Sequence, residues 1–264
     1  MKIHDSLRQE CMPEMVYSIC KLAESKQYEK NELKRLITLG SSTKESIEQF
    51  NKIYRFSIES AFISESDDEM VQTQFTKQQL SDFRSFRYAV FMEVFQDNTA
   101  IFTGLCKWYL SQGTEIFTKK SAQDLGIEMP EYIFSGIDKE YVLGFRFWAV
   151  ALGIAILQKA GSGATLVFAT NQIIEDWLKF AKPFKKNTTI LAKEFFNVLL
   201  SSCPVFTDCI NGNDINCALS MGLRVLHQNN IINLGFTTDS GDIWHLTNSI
   251  SNPKTNNITE IIVR

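Results

Sequence analysis

The chain has 264 residues, 44% of them apolar and 20 of them Phe, which is enough for one packed core or several small ones and excludes a disordered chain. Its formal net charge is −3 and its pI about 5.7, so the whole molecule is not an electrostatic glove for nucleic acid. Any such contact must come from a local patch, or from a complex in which another subunit carries most of the charge.

Taken in chain order, the first block reads as three helices and a hairpin. Pro13 starts a helix through Val16, Ile19 and Leu22, and Asn31 caps a second through Leu33, Leu36 and Ile37 that stops near Gly40. Ser41-Ser42 offers the cap for a third. That helix, "TKESIEQFNKIYRF", puts Ile47, Phe50 and Tyr54 on an inner face and Lys44, Glu45, Glu48, Gln49, Lys52 and Arg55 outside. It runs into "SIESAFISESDDEMVQTQF", two alternating strands around a polar turn at Ser64 to Glu69. Three helices and a hairpin make a winged-helix pattern over residues 1–75.

A helical middle, residues 76–189, follows. Phe83–Phe95, Ala100–Ser111, Tyr141–Gln158 and Asn171–Ala181 carry long apolar faces with aromatic filling, broken by Gly161-Ser162-Gly163 and by "KPFKK" at 182–186, and Ile190–Ser201, at the start of the last block, carries another. Tyr141–Leu157 is the most membrane-like passage, but Arg146 interrupts it and it is shorter than the ~20 residues a span needs. It reads as a helix buried on most sides of a bundle.

The last block, residues 190–264, ends in the stretch "GLRVLHQNNIINLGFTTDSGDIWHLT". Leu223 and Leu226 share one helical face, Arg224, His227 and Gln228 the other, and Asn229-Asn230 tolerates the left-handed conformation that ends a helix. Leu234 and Phe236, then Ile243, Trp244 and Leu246, read as a strand pair around Asp239-Ser240-Gly241-Asp242, with Trp244 pointing inward near the helix of Leu223 and Leu226. That is the second half of another winged helix. Beyond Thr247 the tail is polar, although "ITEIIVR" could dock as a strand.

Catalytic and metal signatures are missing. "AGSGAT", Ala160 to Thr165, lacks the spacing and the lysine of a nucleotide loop. Cys203, Cys209, Cys217 and His227 do not have paired zinc-knuckle spacing; they and Cys11, Cys20 and Cys106 read as small buried side chains in a reducing compartment. His4, His227 and His245 form no ligand pair, and Glu175-Asp176 and Asp67-Asp68 read as solvated faces. The expectation is a non-enzymatic, cytoplasmic protein without cofactor, since Met1 is followed by no apolar signal.

The informative side chains are those with donors that match phosphates or base edges at the helix preceding each hairpin. These are Lys44, Gln49, Lys52 and Arg55 in the first block and Arg224, Gln228 and Asn229 in the last. Asp67-Asp68-Glu69 and Asp239/Asp242 make both hairpin tips acidic and oppose phosphate contact. The fold class expected is therefore mainly α, a helical core flanked by N- and C-terminal winged-helix modules with β-hairpin wings.

The order of a winged-helix start, "KEYVLGFRFWAVALGIAI", a Gly-containing loop into "ATLVFATNQIIEDWL" and a final "LRVLHQNNIINLGFTTDSGDIWHLT" resembles the DpdG family of bacterial gene clusters that place 7-deazaguanine derivatives in DNA and restrict foreign DNA. The resemblance implies an accessory subunit of a phage-defence complex, touching double-stranded DNA and other protein subunits, with no catalytic residue to carry over. Two further readings stand beside it. One is a protein-interaction scaffold that never meets DNA; the other is a dimeric winged-helix transcription regulator whose aromatic middle holds a ligand or the homodimer seam.

Overall fold

The hydroxyl oxygen of Thr43 accepts from the Ser46 backbone N–H at 3.3 Å, and the Asn216 side-chain oxygen accepts from Leu219 N–H at 3.2 Å. Each occupies one of the donors left open at the start of a helix. These two capped helices lie at equivalent points of a topology that the chain uses twice. The computed structural model describes residues 1–118, 139–160, 163–238, 242–251 and 253–264. They form helices with several small sheets, divided into one unit of Met1–Phe102 with Gln123–Leu152 and another of Thr103–Ala122 with Gly153–Arg264. Residues 76–189, read from sequence as a middle block, are shared between these units.

In the first unit the order is α1 (Pro13–Ser25), β1 (Tyr28–Glu29), α2 (Lys30–Ile37), α3 (Lys44–Glu59), β2 (Ile63–Glu65) and β3 (Met70–Thr73). The last strand is central, in the order β1-β3-β2, with Tyr28 opposite Val71 and Ile63 opposite Thr73, both pairs antiparallel. The hairpin expected after α3 is present. Ala61 ends α3 in the left-handed region at φ 58°, with Ala61 N–H donating to Ile58 O and Phe62 N–H to Ser57 O, both at 2.9 Å. The helices α4 (Phe83–Val94) and α6 (Lys139–Ala151) complete this unit, while α5 (Ile101–Ser111) belongs from Thr103 onward to the other.

Phe56, Phe62, Phe75, Phe86 and Trp148 make the aromatic core of the first unit. Trp148 stacks on Phe62 at 5.5 Å and donates from Nε1 to the Cys11 carbonyl at 2.8 Å. Gly144 lets α6 approach: a Cβ there would lie 2.7 Å from Leu7 Cγ and 2.8 Å from the Arg8 carbonyl.

The expected continuous helix from Tyr141 to Gln158 does not form. Leu152 N–H closes the last turn on Trp148 O, Gly153 turns the chain at φ 73°, and residues 155–160 are strand β4 (Ala155–Ala160), antiparallel to β5 (Gly163–Phe168). A short apolar run is compatible with helix and strand alike, and here only the glycine marks the change; beyond Ala155 the strand is largely open, with Ile156 40% exposed. Of the Gly-Ser-Gly turn, Gly161 and Ser162 lie outside the described residues. Among the described residues, no helix is long and apolar enough to cross a membrane.

In the second unit the order is α7 (Asn171–Phe180), β6 (Thr189–Leu191), α8 (Ala192–Ser202), β7 (Ile210–Asn211), β8 (Asp214–Ile215), α9 (Cys217–Gln228) and β9 (Ile232–Gly235). Then come β10 (Trp244–Leu246), β11 (Asn257–Ile258) and β12 (Glu260–Val263). Helix α9 ends as α3 does, with Asn230 at φ 57°, its N–H on His227 O, and Ile231 N–H on Leu226 O. The strand that pairs with β9 is β12, and the sheet β6-β12-β9 repeats the order and antiparallel senses of β1-β3-β2.

The expected hairpin of Leu234–Phe236 with Ile243–Leu246 is thereby corrected. Trp244–Leu246 pairs instead in parallel with β8 and antiparallel with β11, in a separate four-stranded sheet. Residues 260–263 take the position beside β9 with four registered pairs, Glu260 opposite Gly235 through Val263 opposite Ile232. A Cβ at Gly235 would meet the Glu260 side chain at 2.6 Å, a contact that this flexible side chain relieves by moving. Asp239, Ser240 and Gly241 of the supposed turn lie outside the described residues, and Asp242 ion-pairs with Lys193 at 3.4 Å. Packing of α9 on the start of α7 depends on Gly222, where a Cβ would lie 2.1 Å from Thr170 Oγ1, itself donating to the Ala218 carbonyl.

Candidate nucleic-acid interface

Helix α3 turns Phe50, Ile53, Tyr54 and Phe56 into the core and leaves the opposite face to solvent. The side chains of Lys44, Lys52 and Arg55 are 90%, 53% and 75% exposed, and Gln49 is exposed between them, as the spacing predicts. None of the three cations stands alone. Lys44 pairs with Glu48 at 3.7 Å, Arg55 Nε donates to Glu59 at 2.8 Å, and Lys52 Nζ donates to Glu10.

The carboxylates are themselves held. Partial burial works to raise Glu10, but the hydrogen bond and charge of Lys52 outweigh it, so its carboxyl sits below the usual range. For Glu59 the same burial effect is overcome by hydrogen bonds from Ser6 and Arg55 and by nearby His4, again to a net lowering. Both acids are therefore charged near neutrality, and α3 presents alternating rather than uniform charge. Exposed pairs of this kind are weak in water, so a phosphate can compete for each cation without unfolding anything.

Beside α3, the turn between β2 and β3 is acidic as expected. Asp67 and Asp68 are exposed, and Glu69 sits at φ 57° with its N–H on Ser66 O. Glu65 accepts from the Tyr54 hydroxyl at 2.7 Å and lies 3.9 Å from Lys30. Burial, then this hydrogen bond, pushes the Tyr54 phenol well above its ordinary value, which keeps it a neutral donor.

The second unit departs from expectation at Arg224. Far from facing solvent it is 9% exposed, donating to Thr255 Oγ1 and Asn256 Oδ1, both at 2.9 Å. The physical reason is the long connection between β9 and β12. It folds over α9, also placing Thr247 N–H on Ser220 Oγ, and covers the face that would otherwise meet a ligand. Arg224 is thus a fastener of that connection, and its assignment to DNA contact is corrected. Gln228 and Asn229 remain exposed at the end of α9, and His227 Nδ1 accepts from Leu234 N–H at 3.3 Å.

Asp176, expected on a solvated face, is fully buried in α7 on the arc of Ile173 and Trp177. Cys11, Cys20, Cys106, Cys203 and Cys209 are buried and Cys217 is half-buried. Burial pushes the thiols up, Cys11 to about 11 and Cys20, Cys203 and Cys209 to about 12. Among the described residues, no three His, Cys, Asp or Glu side chains are grouped to hold a metal ion. A further basic surface is not marked by the sequence: "KPFKK" reads only as a helix break, whereas the fold gathers Lys182 and Lys186 with Lys179 and Arg264. Comparison of the chain with protein-family models, with curated proteins and with solved structures finds no match.

Proposed function

We propose that both units are built on winged-helix modules and that the chain is an accessory, DNA-positioning subunit of a bacterial complex, in keeping with the DpdG resemblance of its sequence. The observation that carries this reading is the α3 face. It follows a helix–turn–helix entry, stands beside a hairpin, and exposes Lys44, Gln49, Lys52 and Arg55 on its solvent side. The matching α9 face is covered by the chain itself, so α3 is the reader and the C-terminal module a scaffold. Because each α3 cation already has a carboxylate, intrinsic affinity is modest, and a partner subunit supplies further charge.

Equilibrium binding of the full chain to mixed-sequence duplex, over a range of salt, tests this. Duplex is expected to bind more tightly than a single strand of equal length. The slope of log K against log salt is expected near about −3, from three phosphates displacing three internal pairs. A flat salt response, or preference for the single strand, rejects the reading.

A second reading, a protein-interaction scaffold, is favoured by the same ion pairs and by the acidic tip at Asp67-Asp68-Glu69. It expects no duplex binding at low salt.

A further inference from the structure

The basic surface of the second unit has a shape that the α3 face lacks. The end of α7, the following turn, and the adjoining ends of β9 and β12 enclose a recess of about 550 Å³. Leu178, Phe184, Ile231 and Val263 contribute its apolar lining, and Lys179, Lys182, Lys186 and Arg264 its cations. Glu175 is the one acidic side chain in the lining, against four cationic side chains. Among the described residues, neither Lys182 nor Lys186 has a carboxylate oxygen within 4.0 Å.

The backbone holds this arrangement in place. Lys182, just before Pro183, is in the left-handed region at φ 48°, and Asn187 closes the turn at φ 57°. Such a conformation is costly for a side-chain-bearing residue and persists only where the surroundings impose it. Asn187 N–H donates to Val263 O at 2.7 Å, and its side-chain oxygen accepts from Arg264 Nη1 at 3.5 Å, tying the lysine turn to β12. From below, Phe184 is stacked on Phe195 at 5.5 Å and meets Trp177 edge-on, so its half-exposed ring is fixed at the recess.

We propose that this recess binds a nucleoside di- or triphosphate, with its phosphates on Lys179, Lys182, Lys186 and Arg264 and its base on the apolar lining around Phe184. The volume lies within the roughly 300–1,000 Å³ of small-ligand sites. Four cationic side chains against one acidic side chain suit an anion with several phosphates. The ring of Phe184 in the lining favours a nucleotide over bare polyphosphate, since a base stacks on an aromatic face whatever its identity. The site lies at the ends of β9 and β12 away from their connecting segment and does not depend on the DNA reading of α3.

Calorimetric titration of the full chain with ATP at low salt in EDTA tests it, beside adenosine, pyrophosphate and a single-stranded oligonucleotide. ATP is expected to bind, with adenosine and pyrophosphate each at least about tenfold weaker. The variant Lys182→Ala/Lys186→Ala, both exposed positions, is expected to keep its circular dichroism and lose about tenfold or more in ATP affinity. Absence of ATP binding at about millimolar ligand, or equal binding by the double variant, overturns the proposal. So does pyrophosphate binding as tightly as ATP, or an oligonucleotide binding more tightly than ATP through the same lysines.

Discussion

Replacing Trp148 by Ala lowers the unfolding free energy of the first unit by about 3–5 kcal/mol, the range for a large buried aromatic. The residue is fully buried, and its ring lies 5.5 Å from Phe62 and 5.8 Å from Phe56, joining α6 to the end of α3 and the start of β2. Truncation empties that contact and also leaves the Cys11 carbonyl without its donor. Trp148→Phe separates the two effects, because it keeps a ring but not the N–H, and is expected to cost about 1–3 kcal/mol. Urea unfolding followed by circular dichroism measures both. A Trp148→Ala protein with an unchanged midpoint would show that α6 is not part of this core.

The second large effect is expected at Trp244, again about 3–5 kcal/mol on truncation to Ala. Its ring packs on Phe196 of α8 at 4.6 Å and is 6% exposed, while its strand is held between β8 and β11. Loss of this anchor loosens the connection that covers α9. Hydrogen exchange is therefore expected to rise first at His245 and Leu246, whose N–H groups donate to Asn213 O and Asn256 O. Equal protection of these amides in wild type and variant would place the anchor elsewhere.

These two tryptophans mark the limits of what the sequence discloses. Local signals were legible: Pro13 at the first turn of α1, the exposure of Lys44, Gln49, Lys52 and Arg55 on α3, and the left-handed Asn230 after α9 all lie where residue chemistry puts them. So does the inward turn of Trp244, although its ring partner is Phe196. The caps differ, Thr43 rather than Ser41-Ser42 capping α3 and α2 beginning at Lys30, ahead of Asn31. Pairing was not legible. An alternating strand specifies which face is buried but not its neighbour, and Asp239-Ser240-Gly241-Asp242 had suitable turn residues, so β9 was matched with the nearest strand. The true partner, β12, comes after a connection that includes β10 and β11.

Arg224 failed for the same reason. A guanidinium three residues from His227 reads as solvent-facing until that connection brings Thr255 and Asn256 over it. The basic recess was hidden because it draws on α7, the lysine turn and the distant Arg264, which only the β12 pairing brings together.

The claim that α3 is the DNA-facing surface is tested most directly by the variant Lys52→Ala/Arg55→Ala in the same salt-series duplex titration. Neither residue belongs to the Phe50, Ile53 and Tyr54 face, so the fold is expected to persist, with circular dichroism as the check. Duplex affinity is expected to fall, and the slope of log K against log salt to shrink in magnitude by about two units, one for each lost phosphate contact. A folded variant that binds duplex with wild-type affinity and slope would contradict the claim.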